Sequence, residues 1–307
     1  NRIDTLKQFY RSMPSTTIAA SFPMVDSIMQ DKAGFCLGMA TASGYPVFVD
    51  FFTRDRKEGR INSNMMVIGK SGSGKSYATK TILANLAADR TKMFILDPEQ
   101  EYDVMTRNLG GKVIDVGTNK SGILNPFHIM ASLEDLDAAT EGKDNIDDEN
   151  IDDLVMKGTN KTFFTHLQFL EQFFRAILEG IDSDAFETLN TLVVELYNEK
   201  GINQHTNIGK LKAEDYPIFD DLFALIQRKL KTVKDDYYRK NLLVLETYIQ
   251  KFATGGRNSD LWNGPTSILT DENLITFNFQ TLFASKNNKL ANAQMLLVFK
   301  YLNNEII

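Results

Sequence analysis

Residues 65–76 read MMVIGKSGSGKS. Four apolar residues are followed at once by Gly69-Lys70-Ser71-Gly72-Ser73-Gly74-Lys75-Ser76, a G-x-x-x-x-G-K-S motif. A helical stripe then begins with Ala78, Ile82, Leu83 and Leu86. The order buried strand, glycine-rich loop, helix is the setting that this motif needs to hold phosphate. Consecutive main-chain N–H groups form an anion-binding hollow. Glycines at 69, 72 and 74 let the chain turn tightly and come close to the ligand. The helix start adds free N–H groups and the positive end of its dipole. Lys75 reaches the β- and γ-phosphates as a point charge, and Ser76 offers a hydroxyl to Mg²⁺. The expected nucleotide site is therefore Gly69, Lys70, Ser71, Gly72, Ser73, Gly74, Lys75, Ser76 and the adjoining Tyr77, with ATP and Mg²⁺ as ligands.

Working outward, MFILD at 93–97 and KVIDV at 112–116 are short apolar strands, and ITFNF at 275–279 is another. Upstream, 34–53 reads as strand, turn at Gly44, strand, followed by a polar loop at 54–64. Strands alternating with helices predict an α/β fold with a parallel sheet. Ligands of such sheets bind at the carboxyl ends of the strands. That places Asp97, Glu99 and Glu101 of FILDPEQEY near the nucleotide, with Pro98 turning the acids outward. Glu99 and Glu101 join Lys75 as catalytic candidates, and Asp97 joins Ser76 as a candidate metal ligand. The P-E-x-E-Y that follows Asp97 lacks the apolar-run-then-D-E form of a Walker-B strand.

Between about 160 and 254 the pattern is helical. Phe163, Phe164, Leu167, Leu170, Phe173, Phe174, Ile177 and Leu178 recur at helical spacing and Gly180 ends the run. Asp184 with Glu187 suggests a capping box. Stretches 218–231 and 236–252 are amphipathic, and a final helix starts near 289. The division is 1–130, first part of the nucleotide-binding core; 131–258, an acidic loop and an all-helical insertion; 259–307, a return to the core.

The 307 residues carry a net charge of −6, but 134–153 alone holds −9, leaving +3 elsewhere. That body is not the strongly basic one of a DNA-gripping protein. The acidic stretch reads as a mobile, solvated loop. A single cysteine, Cys36, excludes a disulfide within the chain and fits a reducing cytosol. His128, His166 and His205 lie far apart in sequence and share no helix face, so no histidine metal site is expected. No apolar run approaches the ~18–20 residues that span a bilayer, and NRIDTLKQFY at 1–10 lacks a signal peptide's apolar region. Asn1 in place of Met and the ending Ile306-Ile307 read as a fragment.

GKSGSGKS followed some twenty residues later by FILDPEQEY resembles the conjugative-transfer and type IV secretion ATPases, the VirB-four, TraC and TraE group. YPVFVDFF, NSNMMVIGKSGSGKS, SGILNPFHI at 121–129, LWNGPTSI from 261 and ITFNFQTL at 275–282 match in the same order. The resemblance implies a RecA-like P-loop core carrying an all-helical subdomain. It also implies a hexamer, or a smaller assembly, at the cytoplasmic base of a secretion channel, peripheral to the membrane. The function implied is ATP hydrolysis coupled to pilus assembly or substrate transfer, with other channel proteins as partners. In that family a Walker-B Asp-Glu, a polar sensor and an arginine finger follow the helix that starts near 289, and a separate domain precedes the core. The chain would thus bind nucleotide and, alone, hydrolyse it poorly or not at all. A DNA-translocating ATPase of the coupling-protein or FtsK/HerA kind is the alternative, since it shares the core; nucleic acid is not favoured as a partner. Arg257 in TGGRNSD reads as a surface-loop arginine ahead of a trans-acting one. The basic run 228–240 reads as a solvated helix face ahead of a DNA contact with Tyr237 and Tyr238. Asn125-Pro126-Phe127 reads as a structural turn.

Overall fold

Three parallel strands, β3 (Met93–Asp97), β4 (Lys112–Asp115) and β5 (Leu274–Asn278), form a sheet in the order β3-β5-β4. The description rests on a computed structural model of residues 12–21, 30–41, 43–54, 61–130, 151–268, 270–284 and 288–305. The first eleven residues, most of the polar loop 54–64 and the acidic residues 134–150 lie outside it. The chain divides into two compact units, Asn1–Leu86 and Ala87–Ile307.

In the first unit, α1 (Ser15–Ala20) precedes a hairpin of β1 (Phe35–Met39) and β2 (Pro46–Val49). The register slips by one residue between Cys36 and Gly38, a bulge that leaves Leu37 without an opposite number. Gly44, at φ +72°, makes the expected turn, and its N–H donates to the Ala40 carbonyl. Helix α2 (Lys75–Ala88) follows the glycine-rich loop. The expectation for 65–68 is corrected. This run is not a strand, and Met66 and Ile68 are 82% and 84% exposed. An apolar run becomes a strand only when a neighbour lends it ladder hydrogen bonds, and none pairs with it among the described residues. The stripe on α2 is also thinner than expected, with Ile82 as its buried residue.

In the second unit, β5 is the central strand and is buried at every position. Flanking strands complete its ladder on both edges, and packing on the sheet covers both faces, so LITFN reads as a near-continuous apolar run. Its one interior polar group, Thr276, shares a hydrogen bond of 2.6 Å with Thr106 on α3 (Asp103–Asn108). In register across the sheet, Asp97 and Asp115 both lie opposite Asn278. All three strands thus end on an Asp or Asn at one level. Each of these side chains accepts the N–H two residues on: Glu99 to Asp97 (3.2 Å), Gly117 to Asp115 (2.9 Å) and Gln280 to Asn278 (2.8 Å).

Between β4 and β5 the chain forms α4 (Ile151–Ile177), α5 (Ser183–Glu199), α6 (Phe219–Thr232), α7 (Asp236–Ile249) and the short α8 (Ser259–Trp262). After β5 come α9 (Gln280–Ala284) and α10 (Asn288–Glu305). Helix α4 starts at 151, so the end of the acidic stretch is helical rather than loop. Phe163, Leu170, Phe173, Phe174 and Leu178 are buried as the spacing predicts, but Phe164 is 52% exposed. Gly180 adopts φ +79° just beyond the helix end. The capping box expected of Asp184 and Glu187 does not form. The helix begins a residue earlier, at Ser183, so Asp184 already lies in its first turn, and its carboxylate accepts the Tyr237 hydroxyl instead.

The core joins sheet and helices. Asn125-Pro126-Phe127 is the structural turn expected. Asn125 donates to the Pro217 carbonyl and accepts from the Phe127 N–H, while Phe127 is fully buried against Phe174 and Phe219. Phe219 also meets Phe252, with ring centroids 5.2 Å apart, and Trp262, which stands against Phe173 at 4.9 Å. Two of the matched stretches pair with each other: Ser267 N–H donates to Ile123 C=O, and Ile123 N–H to the Ser267 hydroxyl.

Two histidines separated in sequence share one interior cluster. Lys300 of α10 donates to His166 Nδ1, so His166 Nε2 carries the proton and donates to the Tyr197 hydroxyl, which donates in turn to the Phe127 carbonyl at 2.6 Å. Burial, then the Lys300 charge, hold His166 well below its usual pKa and bring His128 down to about 4. His128 stacks on Tyr216, whose own pKa is pushed up by burial.

Truncating the aromatic hub with Phe219→Ala is expected to cost about 3–5 kcal/mol. A lower urea midpoint at unchanged slope, read from the emission of the single tryptophan, Trp262, checks it. Because the folded pKa of His128 and His166 is depressed, the unfolded chain takes up protons first as pH falls. Stability is full above about pH 6.5 and declines towards pH 4, by roughly 1 kcal/mol per unit for each histidine. Urea midpoints at pH 7.5, 6 and 5 are expected to fall in that order, and His128→Gln to flatten the decline.

Candidate nucleotide site

The glycine-rich loop is shaped by its own backbone. Gly72 and Gly74 hold φ +74° and +87°, a region that disfavours side chains. A Cβ on Gly69 would lie 2.5 Å from the Ser73 hydroxyl and 3.2 Å from Lys75 Cγ, so a side chain here would have to displace those two side chains. The Ser73 N–H closes a turn onto the Lys70 carbonyl at 3.2 Å. Lys75 folds back across the loop, and its ammonium donates to that same carbonyl at 2.9 Å. The first turn of α2 contains no acidic residue, so its positive end is not neutralised from within the helix. Lys75 and Ser76 are half-buried, Lys70, Ser71 and Ser73 are exposed, and Tyr77 is 79% exposed. The donor set, one ammonium, one hydroxyl and the loop amides, fits a magnesium–polyphosphate ligand.

The acidic stretch forms a tightly wound loop after β3. Asp97 is 1% exposed. Its Oδ1 accepts the N–H groups of Glu99 and Glu101, both at 3.2 Å, and its Oδ2 accepts that of Tyr102 at 2.8 Å. The carboxylate expected to help bind an ion thus meets three main-chain donors and shapes the turn. Gln100 sits at φ +61°, a backbone state that costs an ordinary residue about 1 kcal/mol, and donates to Asp103 Oδ2 at 2.8 Å. Glu99 and Glu101 are exposed. Burial, followed by the charges of Glu101 and Asp97, raises the pKa of Tyr102.

Sequence reasoning missed Asp103, Asp115 and Asn278. The signal was present, because each sheet strand ends on an Asp or Asn at the carboxyl edge. The basic run 228–240 is not one helix. It breaks at Val233–Asp235 between α6 and α7, where Asp235 caps α7 by accepting from Tyr237 N–H. Arg228 and Lys229 form ion pairs with Glu199 and Glu195. Arg257 is exposed on its glycine turn, as expected of a loop arginine.

The glycine loop and the parallel sheet define a P-loop NTPase domain of the α/β, RecA-like kind. The family model described as the TraG P-loop domain matches residues 37–149. VirB4 of Thermoanaerobacter pseudethanolicus is similar in structure, with a TM-score of 0.73 and 25% identity over 91% of this chain. An uncharacterized protein of Bacillus anthracis is 22% identical over 268 residues, 85% of this chain. The chain spans 65% of the VirB4 chain and 39% of the Bacillus protein. The resemblance to type IV secretion and conjugation ATPases of the VirB4 family is upheld by both the family model and the structural match.

Asp97→Ala would leave three amides without their acceptor and is expected to cost about 2–4 kcal/mol. A drop in thermal midpoint, with faster amide exchange confined mainly to residues 98–103, checks it.

Proposed function

We propose that this chain is the nucleotide-binding motor part of a type IV secretion or conjugation machine, coupling ATP hydrolysis to assembly of the machine or to substrate transfer. The observation that carries the reading is the glycine loop itself. Two left-handed glycines, Gly72 and Gly74, bend the chain, and Lys75 lies across it on the Lys70 carbonyl. A phosphate oxygen is a stronger acceptor than the Lys70 carbonyl that now takes the Lys75 proton, since both partners then carry charge.

In this reading the loop amides from Gly69 to Ser76 and the start of α2 hold the phosphates, and Lys75 neutralises the charge that develops on them. Ser76 is the residue that would hold Mg²⁺, which supplies further charge stabilisation when bound. Glu99 and Glu101, exposed on a rigid loop at the carboxyl edge of the sheet, are the candidates for orienting the attacking water. Asp97 serves by fixing that loop. The similarity to VirB4 supports the wider assignment: a homo-oligomer, hexameric when assembled, beside other channel proteins on the cytoplasmic face of the membrane. No described helix is long and apolar enough to cross a membrane. The ion-paired state of Arg228 and Lys229 argues against a DNA-translocating reading.

Titration with a fluorescent ATP analogue in Mg²⁺ is expected to show saturable binding that Lys75→Ala weakens at least tenfold. Undiminished binding by the variant, or none by the parent chain, would defeat the assignment.

A further inference from the structure

We propose that Asn278 is a positioning residue for the acidic loop. Through Asp103 and Gln100, it sets where Glu99 and Glu101 stand. The inference rests on the reading of that loop as part of the nucleotide site.

The geometry is a relay across the carboxyl edge of the sheet. Asn278, 5% exposed at the end of the central strand, donates through Nδ2 to both oxygens of Asp103, at 3.3 and 3.1 Å. Its Oδ1 is held by the Gln280 N–H, so the amide cannot flip without losing a bond on each side. Asp103, 8% exposed, is the first residue of α3, and its Oδ2 also accepts from Gln100. Gln100 stands between Glu99 and Glu101, in the left-handed state that lets its side chain reach back. The main chain adds a second tie, since the Phe279 N–H donates to the Asp97 carbonyl at 2.9 Å. The acidic loop is therefore fixed from below by Asp97 and from the side by Asn278. The Asn278 tie and the Phe279 bond both reach it from the end of β5.

The residue types follow from this placement. Asp103 offers only acceptors, and its neighbours Gln100 and Asn278 are amides that meet it with donors. The charged and titratable groups of the loop and the edge beside it are Asp97, Glu99, Glu101, Tyr102, Asp103 and Asp115. A carboxylate at 278 would set two buried acids against each other, a repulsion that is relieved only when the pair takes up a proton at lower pH. An Asn at 103 alone would turn donor against donor. Exchanging the two restores a donor–acceptor pair in the opposite sense, and Gln100 and Gln280 keep their acceptors.

The test is amide hydrogen exchange on the full chain, read at Glu99, Glu101 and Tyr102, with helix 183–199 as the reference for intact folding. Asn278→Asp is expected to speed exchange at the three amides about tenfold at pH 8. The excess over the parent should shrink as pH falls to 5 and the acid pair takes up a proton. Asp103→Asn is expected to speed exchange at both pH values, and the double exchange D103N/N278D to return it within twofold of the parent. Gln100→Asn, on the exposed side, tolerates the left-handed backbone but shortens the reach, and should loosen the same amides without touching the sheet. Unchanged exchange in Asn278→Asp, or failure of the double variant to restore it, overturns the proposal.

Turnover gives the second readout: a kcat lower by about tenfold in Asn278→Asp at unchanged nucleotide affinity. Weakened affinity at unchanged kcat would count against the positioning role. A parent chain that binds no nucleotide defeats the proposed function instead, and the exchange data then decide by themselves whether Asn278 holds the loop.

Discussion

A parallel strand that ends inside a protein leaves the next few amides without ladder partners, and buried amides must be paired. The carboxyl edge of this sheet is organised around that constraint. Asp97, Asp115 and Asn278 stand level and each turns its side chain onto the amide two residues ahead. Asp97 goes further and takes three amides with one carboxylate. Backbone bonds lock the row: Val116 donates to the Asn278 carbonyl and Phe279 to that of Asp97. A charged acceptor for several amides makes a stiff turn. Stiffness is what a loop needs if it is to hold exposed acidic side chains at fixed positions.

The same edge joins the sheet to the helices. Gln294 of α10 donates to the Val116 carbonyl and accepts the Trp262 indole N–H, both in the interior. Phe127, twelve residues beyond the end of β4, is held through its carbonyl by Tyr197 and through its ring by Phe174 and Phe219. The helical segment thus packs into one core with the end of β4 rather than hanging from it by a linker.

Much of this was legible in the sequence, for identifiable reasons. Strand β5 was visible because burial on both faces makes a short apolar run, β3 and β4 because their half-buried runs are apolar too, and the glycine loop because its backbone favours glycine at fixed places. The phenylalanine pattern of α4 showed a buried helix, although Phe164 lies on the solvent side. The run 65–68 misled because strandness belongs to a pair, and nothing in four apolar residues says whether a partner is present. The roles of Asp103 and Asn278 were hidden because they are 175 residues apart and meet only when β5 inserts between β3 and β4. The capping box misled because the helix starts at Ser183, ahead of Asp184, whose carboxylate meets Tyr237 on another helix.

The folded-back position of Lys75 has a bearing on kinetics. Its ammonium already lies over the loop, on a carbonyl of that loop, so capture of an anion there exchanges one acceptor for another and does not require a long side chain to be gathered from solvent. The rotamer freedom of the lysine is spent when the protein folds rather than when ligand arrives. On the proposed reading, association would then carry little cost of ordering this side chain.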